Sequence, residues 1–210
     1  MSTGSAVAWN MPNRLNFLTI VPMFHCNGWG YPWTIPMLNG KTICLRNIDI
    51  KKIFELIDKY NITHFGGAPI VLNMITGASE SEKKKLKHKV YVLTAGAPPP
   101  SIIFKKMKEL GFEVMHVYGL TETYGHVTQC AWNDEWNELD EDKQNEIKAR
   151  QGVRYPNTEG IAVMNPETMT EVPKDGKTIG EIMIKGNIVM KGYFKDKDAT
   201  SKAMNGGWFH

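Results

Sequence analysis

Tyr118-Gly119-Leu120-Thr121-Glu122 is the stretch best equipped for chemistry. Thr121 offers a hydroxyl, and backbone N–H groups of a polar turn can point at an anion. Glu122 offers a hard carboxylate oxygen of the kind Mg²⁺ takes. Gly119 would let backbone come close to a ligand. These residue types suit a phosphate group accompanied by Mg²⁺. Alone, such a stretch more often reads as a capped turn with a solvated Glu. The flanking sequence changes that. Phe112 to Val117 predicts a strand leading into it, and ligands in α/β sheets gather at such strand ends. The strand predicted over Val90 to Thr94 runs into Ala95-Gly96-Ala97-Pro98-Pro99-Pro100, a thin, stiff loop against which a flat ring could lie. Two neighbouring parallel strands would deliver loop and turn to one edge.

The elements that must hold these residues follow from periodicity. Leu15 to Val21 is an apolar run rich in β-formers, closed by Pro22. A helix is expected from near Trp29 to Leu38, stopped by Asn39-Gly40. Lys41 to Arg46 predicts a strand. Asp49 caps an amphipathic helix with Ile50, Ile53, Phe54, Ile57 and Tyr60 on one face. Ile62 to Phe65 predicts a short strand, and Gly66-Gly67-Ala68-Pro69 leads into a helix over Ile70 to Ile75. Ser101 to Leu110 predicts a helix stopped by Gly111. Strand alternating with helix implies right-handed crossovers and a largely parallel sheet.

Past Trp132 the chain turns polar, with a helical charge pattern around Asp140 to Lys148. From Gly160 it becomes β-like: Ile161 to Met164, Gly180 to Lys185 and Ile188 to Met190, with turns at Asn165-Pro166-Glu167 and Lys174-Asp175-Gly176. The expected fold is α/β, a parallel-rich sheet with flanking helices plus a smaller β-rich lobe. Residues 1–132 form the first lobe, 133–151 a polar helical connection, and 152–210 the second lobe.

Composition excludes several classes. With 42% hydrophobic and 22% charged residues, the 210-residue chain can build a real core. A net charge of +3 is too small to argue for nucleic acid. The run Lys83 to Lys89, beside Glu80 and Glu82, reads as a solvated loop or helix end. Cys26, Cys44 and Cys130 fit neither zinc spacing nor a disulfide framework, so a reducing, cytoplasmic setting is expected. His25 and Cys26 lack a third metal ligand nearby. No apolar run approaches the roughly 18 residues of a membrane span, and no signal peptide is expected. Gly206-Gly207-Trp208-Phe209-His210 reads as the middle of a turn and strand, which suggests truncation.

With these stretches in view, the chain resembles the adenylate-forming superfamily of acyl-CoA synthetases, luciferases and peptide-synthetase adenylation domains. Tyr118 to Glu122, preceded by Ala95-Gly96-Ala97-Pro98, carries the likeness first. Pro22-Met23-Phe24-His25-Cys26-Asn27-Gly28 resembles the family's Pro-x-Phe-His-x-x-Gly segment. Gly180-Glu181-Ile182 through Lys185-Gly186 and Lys191-Gly192-Tyr193 resembles its Gly-Glu…Gly-Tyr segment. Gly206 to His210 looks like the start of Gly-Trp-(Phe/Leu)-x-Thr-Gly-Asp. The likeness runs from about Leu18 to His210. His25 to Trp29, Thr121 to Gly125 and Ala149 to Val153 look most like the fatty-acyl and medium-chain acyl-CoA ligase branch.

The resemblance implies an ATP- and Mg²⁺-dependent ligase that joins a carboxylic acid to CoA, with a fatty acid of short to medium length as substrate. Thr121 would contact phosphate, and Glu122 would hold Mg²⁺. Gly96, Ala97, Pro98, Tyr118 and Gly119 would lie along the nucleotide, with Tyr118 packed on adenine. His25 would stand where the acyl pocket meets the thiol channel, with Trp29 and Gly125 also lining that pocket. For Trp29, core packing is the competing reading. The family's phosphate loop with its Lys is absent, since Ser2-Thr3-Gly4-Ser5 is too short. The chain is therefore expected to be an internal fragment of the large N-terminal domain, inactive alone. A homo-oligomer is compatible with this reading. The alternatives are an adenylate-forming enzyme with a non-CoA product and a non-catalytic binding module of the same fold.

Overall fold

Short strands, the central ones of the larger sheet mostly buried, set the architecture of residues 1–210, seen in a computed structural model. The first half runs α1 (Ser2–Ala8), β1 (Asn16–Thr19), α2 (Cys26–Trp29), α3 (Tyr31–Met37), β2 (Lys41–Cys44), α4 (Ile50–Tyr60), β3 (His64–Gly66) and α5 (Pro69–Gly77). It continues with β4 (Val90–Thr94), α6 (Ser101–Glu109), β5 (Phe112–Leu120), β6 (Gly125–Gln129), α7 (Glu141–Lys148) and β7 (Val153–Arg154). β8 (Gly160–Asn165), β9 (Thr170–Glu171), β10 (Glu181–Lys185) and α8 (Lys197–Ala203) complete it.

Seven strands form one sheet in the order β2-β1-β3-β4-β5-β6-β7. The contacts from β2 through β5 are parallel, and β6 and β7 add on antiparallel. Side chains alternate between its faces. Leu18 and Val92 join an 18-residue cluster with Ile53, Phe54 and Ile57 of α4, Leu72 of α5 and Phe104 of α6. Phe17 and Leu93 point the other way, into an 11-residue cluster with Trp9, Tyr31 and Ile35. Helices therefore cover both faces, and the expected parallel-rich α/β sheet is present. A second sheet, order β10-β8-β9, is antiparallel.

Local chemistry explains the element ends. Asp49 Oδ1 accepts the Lys52 N–H at 2.9 Å, which starts α4, and Asn61 in the left-handed region stops it. Asp140 caps α7 in the same way. Asn165 and Asp175 accept backbone N–H groups in the two turns of the small sheet.

Some expectations need correction. Residues 118–120 belong to β5, so the turn begins only at Thr121, where a 3₁₀ turn spans Thr121–Thr123. The main helix of the Trp29 region starts at Tyr31, because Gly30 takes φ 79° and breaks the run. Ile188 to Met190 forms a turn, not a strand. β7 pairs with β6, and the second sheet begins at Gly160.

Candidate functional site

The C-terminal ends of β1, β3 and β4 lie side by side, and each runs into a loop of small or apolar residues. Ile20-Val21-Pro22 follows β1, Gly67-Ala68 follows β3, and Ala95-Gly96 follows β4. These loops, with His25, Trp29, Ile48, Ile70 and Val71, enclose a mostly apolar cavity of about 160 Å³. Gly67 and Ala68 were not singled out from sequence. The signal was there: Gly66-Gly67-Ala68-Pro69 and Ala95-Gly96-Ala97-Pro98 are nearly the same string at adjacent strand ends.

Trp29 forms one wall. It is buried, and its ring lies where Gly66 has no side chain: a Cβ there would stand 3.0 Å from Trp29 Cζ3. Cys26, Asn27, Gly28, Trp29 and Gly30 all have positive φ, from 41° to 79°. Each non-glycine in that region costs roughly 1–2 kcal/mol, and such strain persists where surrounding packing holds it. The turn brings Cys26 Sγ to 3.5 Å from Thr121 Oγ1. A second link joins the same segments, with Trp33 Nε1–H donating to Tyr124 Oη at 3.0 Å. The cavity and the Thr121 turn are thereby tied together.

β4 and β5 pair through Thr94 and His116, so Ala95 follows on the same edge from which β5 extends toward Thr121. Ala97 and Pro98 are exposed beside Gly96. Thr121 is exposed, and Glu122 is half-buried. Tyr118 is half-buried against the cluster of Val127, Ile184 and Phe209. Its phenol is pushed up from the usual range, mainly by burial and then by Glu122. Two glycines of this region are also closely packed. Gly119 lies so close to β6 that a Cβ would fall 1.7 Å from the Gly125 carbonyl oxygen. It sits at the irregularity between Tyr118 and Gly119 where β5 and β6 pair. Gly125 is buried against Met1 and does not line the cavity.

No three His, Cys, Asp or Glu side chains gather into a metal cluster. The site still fits Mg²⁺, which keeps several waters and binds through one or two carboxylates plus substrate phosphates. Glu122 is the carboxylate available for that at this edge. A small apolar cavity, a hydroxyl and one acidic side chain thus stand at one edge of the sheet.

Comparisons with known proteins identify the family. The AMP-binding enzyme family matches residues 1–194, and the chain belongs to it. It is 47% identical to the peroxisomal acetate/butyrate–CoA ligase of Arabidopsis thaliana and 49% identical to an acetate–CoA ligase of Humulus lupulus. Both alignments cover 100% of this chain and 37% of the relative, so the chain spans just over a third of their length. Among solved structures, the N-terminal domain of FACL13 from Mycobacterium tuberculosis matches with a TM-score of 0.80 and 25% identity, covering 100% of this chain and 50% of that one.

Proposed function

We propose that the full-length protein is an ATP-dependent acyl–CoA ligase acting on a short-chain carboxylic acid. The apolar cavity of about 160 Å³, tied to the Thr121 turn through Cys26, carries this reading. An apolar cavity of about 150 Å³ holds a benzene-sized guest, so an acyl chain of about six carbons or fewer suits it. The relatives named as acetate and butyrate ligases support the same range.

In the proposed chemistry, the acid's carboxylate oxygen attacks the α-phosphorus of ATP and the bond to pyrophosphate breaks. The CoA sulfur then attacks the acyl carbonyl, AMP leaves with the former carboxylate oxygen, and the thiol proton is released. Val21, Trp29, Ala95 and Val71 hold the acyl chain away from water. Gly96, Ala97, Pro98 and Tyr118 lie along the nucleotide, and Thr121 donates to phosphate. His25 stands at the mouth where the thiol enters. Glu122 would hold Mg²⁺, which neutralises phosphate charge when bound. The three cysteines are free, in keeping with a reducing cytoplasmic or peroxisomal compartment. The 210 residues alone are proposed to be inactive, because they span only 37% of the length of the ligases they match.

The test is AMP release by the full-length protein, with acids of two to ten carbons. CoA-dependent release, highest at six carbons or fewer, is expected. AMP formed without a CoA thioester would move the protein to another branch. No AMP with any acid would favour a binding module.

A further inference from the structure

Lys191-Gly192-Tyr193 stands out in the sequence yet has no part in the chemistry above. In the structure the Tyr193 hydroxyl donates to Glu122 Oε1 at 3.1 Å, across 71 positions of sequence. The Glu122 main chain is held from the same segment, its carbonyl accepting the Met190 N–H at 2.7 Å. Tyr193 is fixed in turn. Its N–H donates to Thr200 Oγ1 at 2.9 Å, and that hydroxyl donates to the Asp196 carbonyl at 2.6 Å. Asp196 also caps α8, accepting the Ala199 N–H at 2.9 Å.

A glutamate carboxylate sits at the end of three rotatable bonds, so one acidic side chain serving a cation needs something to aim it. Tyr193 engages Oε1 and leaves Oε2 without a protein partner. We infer that Tyr193 is a positioning residue: its hydroxyl orients Glu122 so that the other carboxylate oxygen is free for Mg²⁺. The segment after β10 thereby takes part in the site, through the chain α8, Thr200, Tyr193, Glu122. This rests on Glu122 being the Mg²⁺ ligand. A simple tether between the two parts of the chain would use the same hydrogen bond, but its loss would show in stability and not in metal affinity.

The experiment is a Mn²⁺ titration, followed by electron paramagnetic resonance, of the full-length protein with a non-cleavable ATP analogue. Tyr193→Phe removes the hydroxyl and keeps the ring. Metal affinity should fall by about tenfold, the scale of lost outer-shell partners, with a melting temperature lowered by less than about 4 °C. Glu122→Gln should fall at least as far, and the double variant no further than Glu122→Gln alone. Thr200→Val should weaken binding in the same direction and Thr200→Ser should retain it, which keeps the test open if Tyr193→Phe folds poorly. Normal Mn²⁺ affinity in Tyr193→Phe and Thr200→Val, beside a weakened Glu122→Gln, overturns the inference and leaves the Glu122 reading intact. Normal affinity in Glu122→Gln removes the Glu122 reading and the inference with it.

Discussion

At the scale of single residues, the Trp29 ring, packed over Gly66, walls the cavity. Replacing Trp29 by Leu should deepen it. Each methylene in an apolar pocket is worth about 1–3 kcal/mol, so kcat/KM for an eight-carbon acid relative to butyrate should rise at least about tenfold. Gly66→Ala should act the other way, since its Cβ would press on the ring at 3.0 Å. Unchanged chain-length profiles in both variants would remove Trp29 from the acyl pocket. Glu122 gives a second prediction. Glu122→Gln keeps size but removes charge, so adenylation should slow by at least about tenfold, or roughly 1.4 kcal/mol. The thioester-forming half-reaction should suffer less, because pyrophosphate has already left. Equal losses in both halves, or a large drop in melting temperature, would mark Glu122 as structural.

At the scale of elements, β5 and β6 approach too closely for any side chain at residue 119. A Cβ there meets the Gly125 carbonyl at 1.7 Å, so Gly119→Ala should destabilise the chain by about 2 kcal/mol or more, as overpacking does. Asp49→Ala should cost about 1 kcal/mol for the lost cap, with no effect on metal or acid binding. Urea denaturation measures both; equal losses would mean that β6 shifts freely. Legibility differed between these elements for physical reasons. α4 was readable because its cap and its 3.6-residue apolar stripe agree. β4 was readable because an unbroken apolar run suits a strand covered on both faces. β6 was not: Gly125-His126-Val127-Thr128-Gln129 is wholly buried but half polar, so neither alternation nor an apolar run announces it. α1 escaped notice because Ser2 to Ala8 has no amphipathic stripe, and packing of the buried Ser5 decides it. The cavity was half legible. His25, Trp29 and Gly96 come from motifs, whereas Ile48 arrives from a loop and Ile70 from the start of α5, which only the sheet order brings together.

At the scale of the whole molecule, the face of the large sheet that carries Trp9 and Trp29 holds two buried histidines whose protonation folding resists. His64 stacks on Tyr91 at 5.0 Å and meets the edge of Trp9. His126 lies between Trp29 and Tyr155, with no hydrogen-bond partner for Nε2. Burial lowers each imidazole to about 4, from an ordinary value of 6.5. The folded state therefore stays neutral where the unfolded chain takes up protons. Stability should be full above pH 6.5 and fall as pH drops from 6.5 toward 4, with no further loss from these two groups below that. Each shift is on the order of 3 kcal/mol when complete. Carboxylates add their own pH dependence, so the contribution must be isolated by substitution. His126→Phe keeps the ring's bulk and strands no hydrogen-bond partner through Nε2. Urea denaturation of this variant and of the unaltered chain at pH 7 and pH 4.5 should show a loss smaller by about 2 kcal/mol in the variant. His64→Phe should behave alike, less the hydrogen bond between His64 Nδ1 and Thr63 Oγ1 at 2.8 Å. Equal losses in all three proteins would mean that the imidazoles protonate inside the fold, and that this face of the sheet admits water.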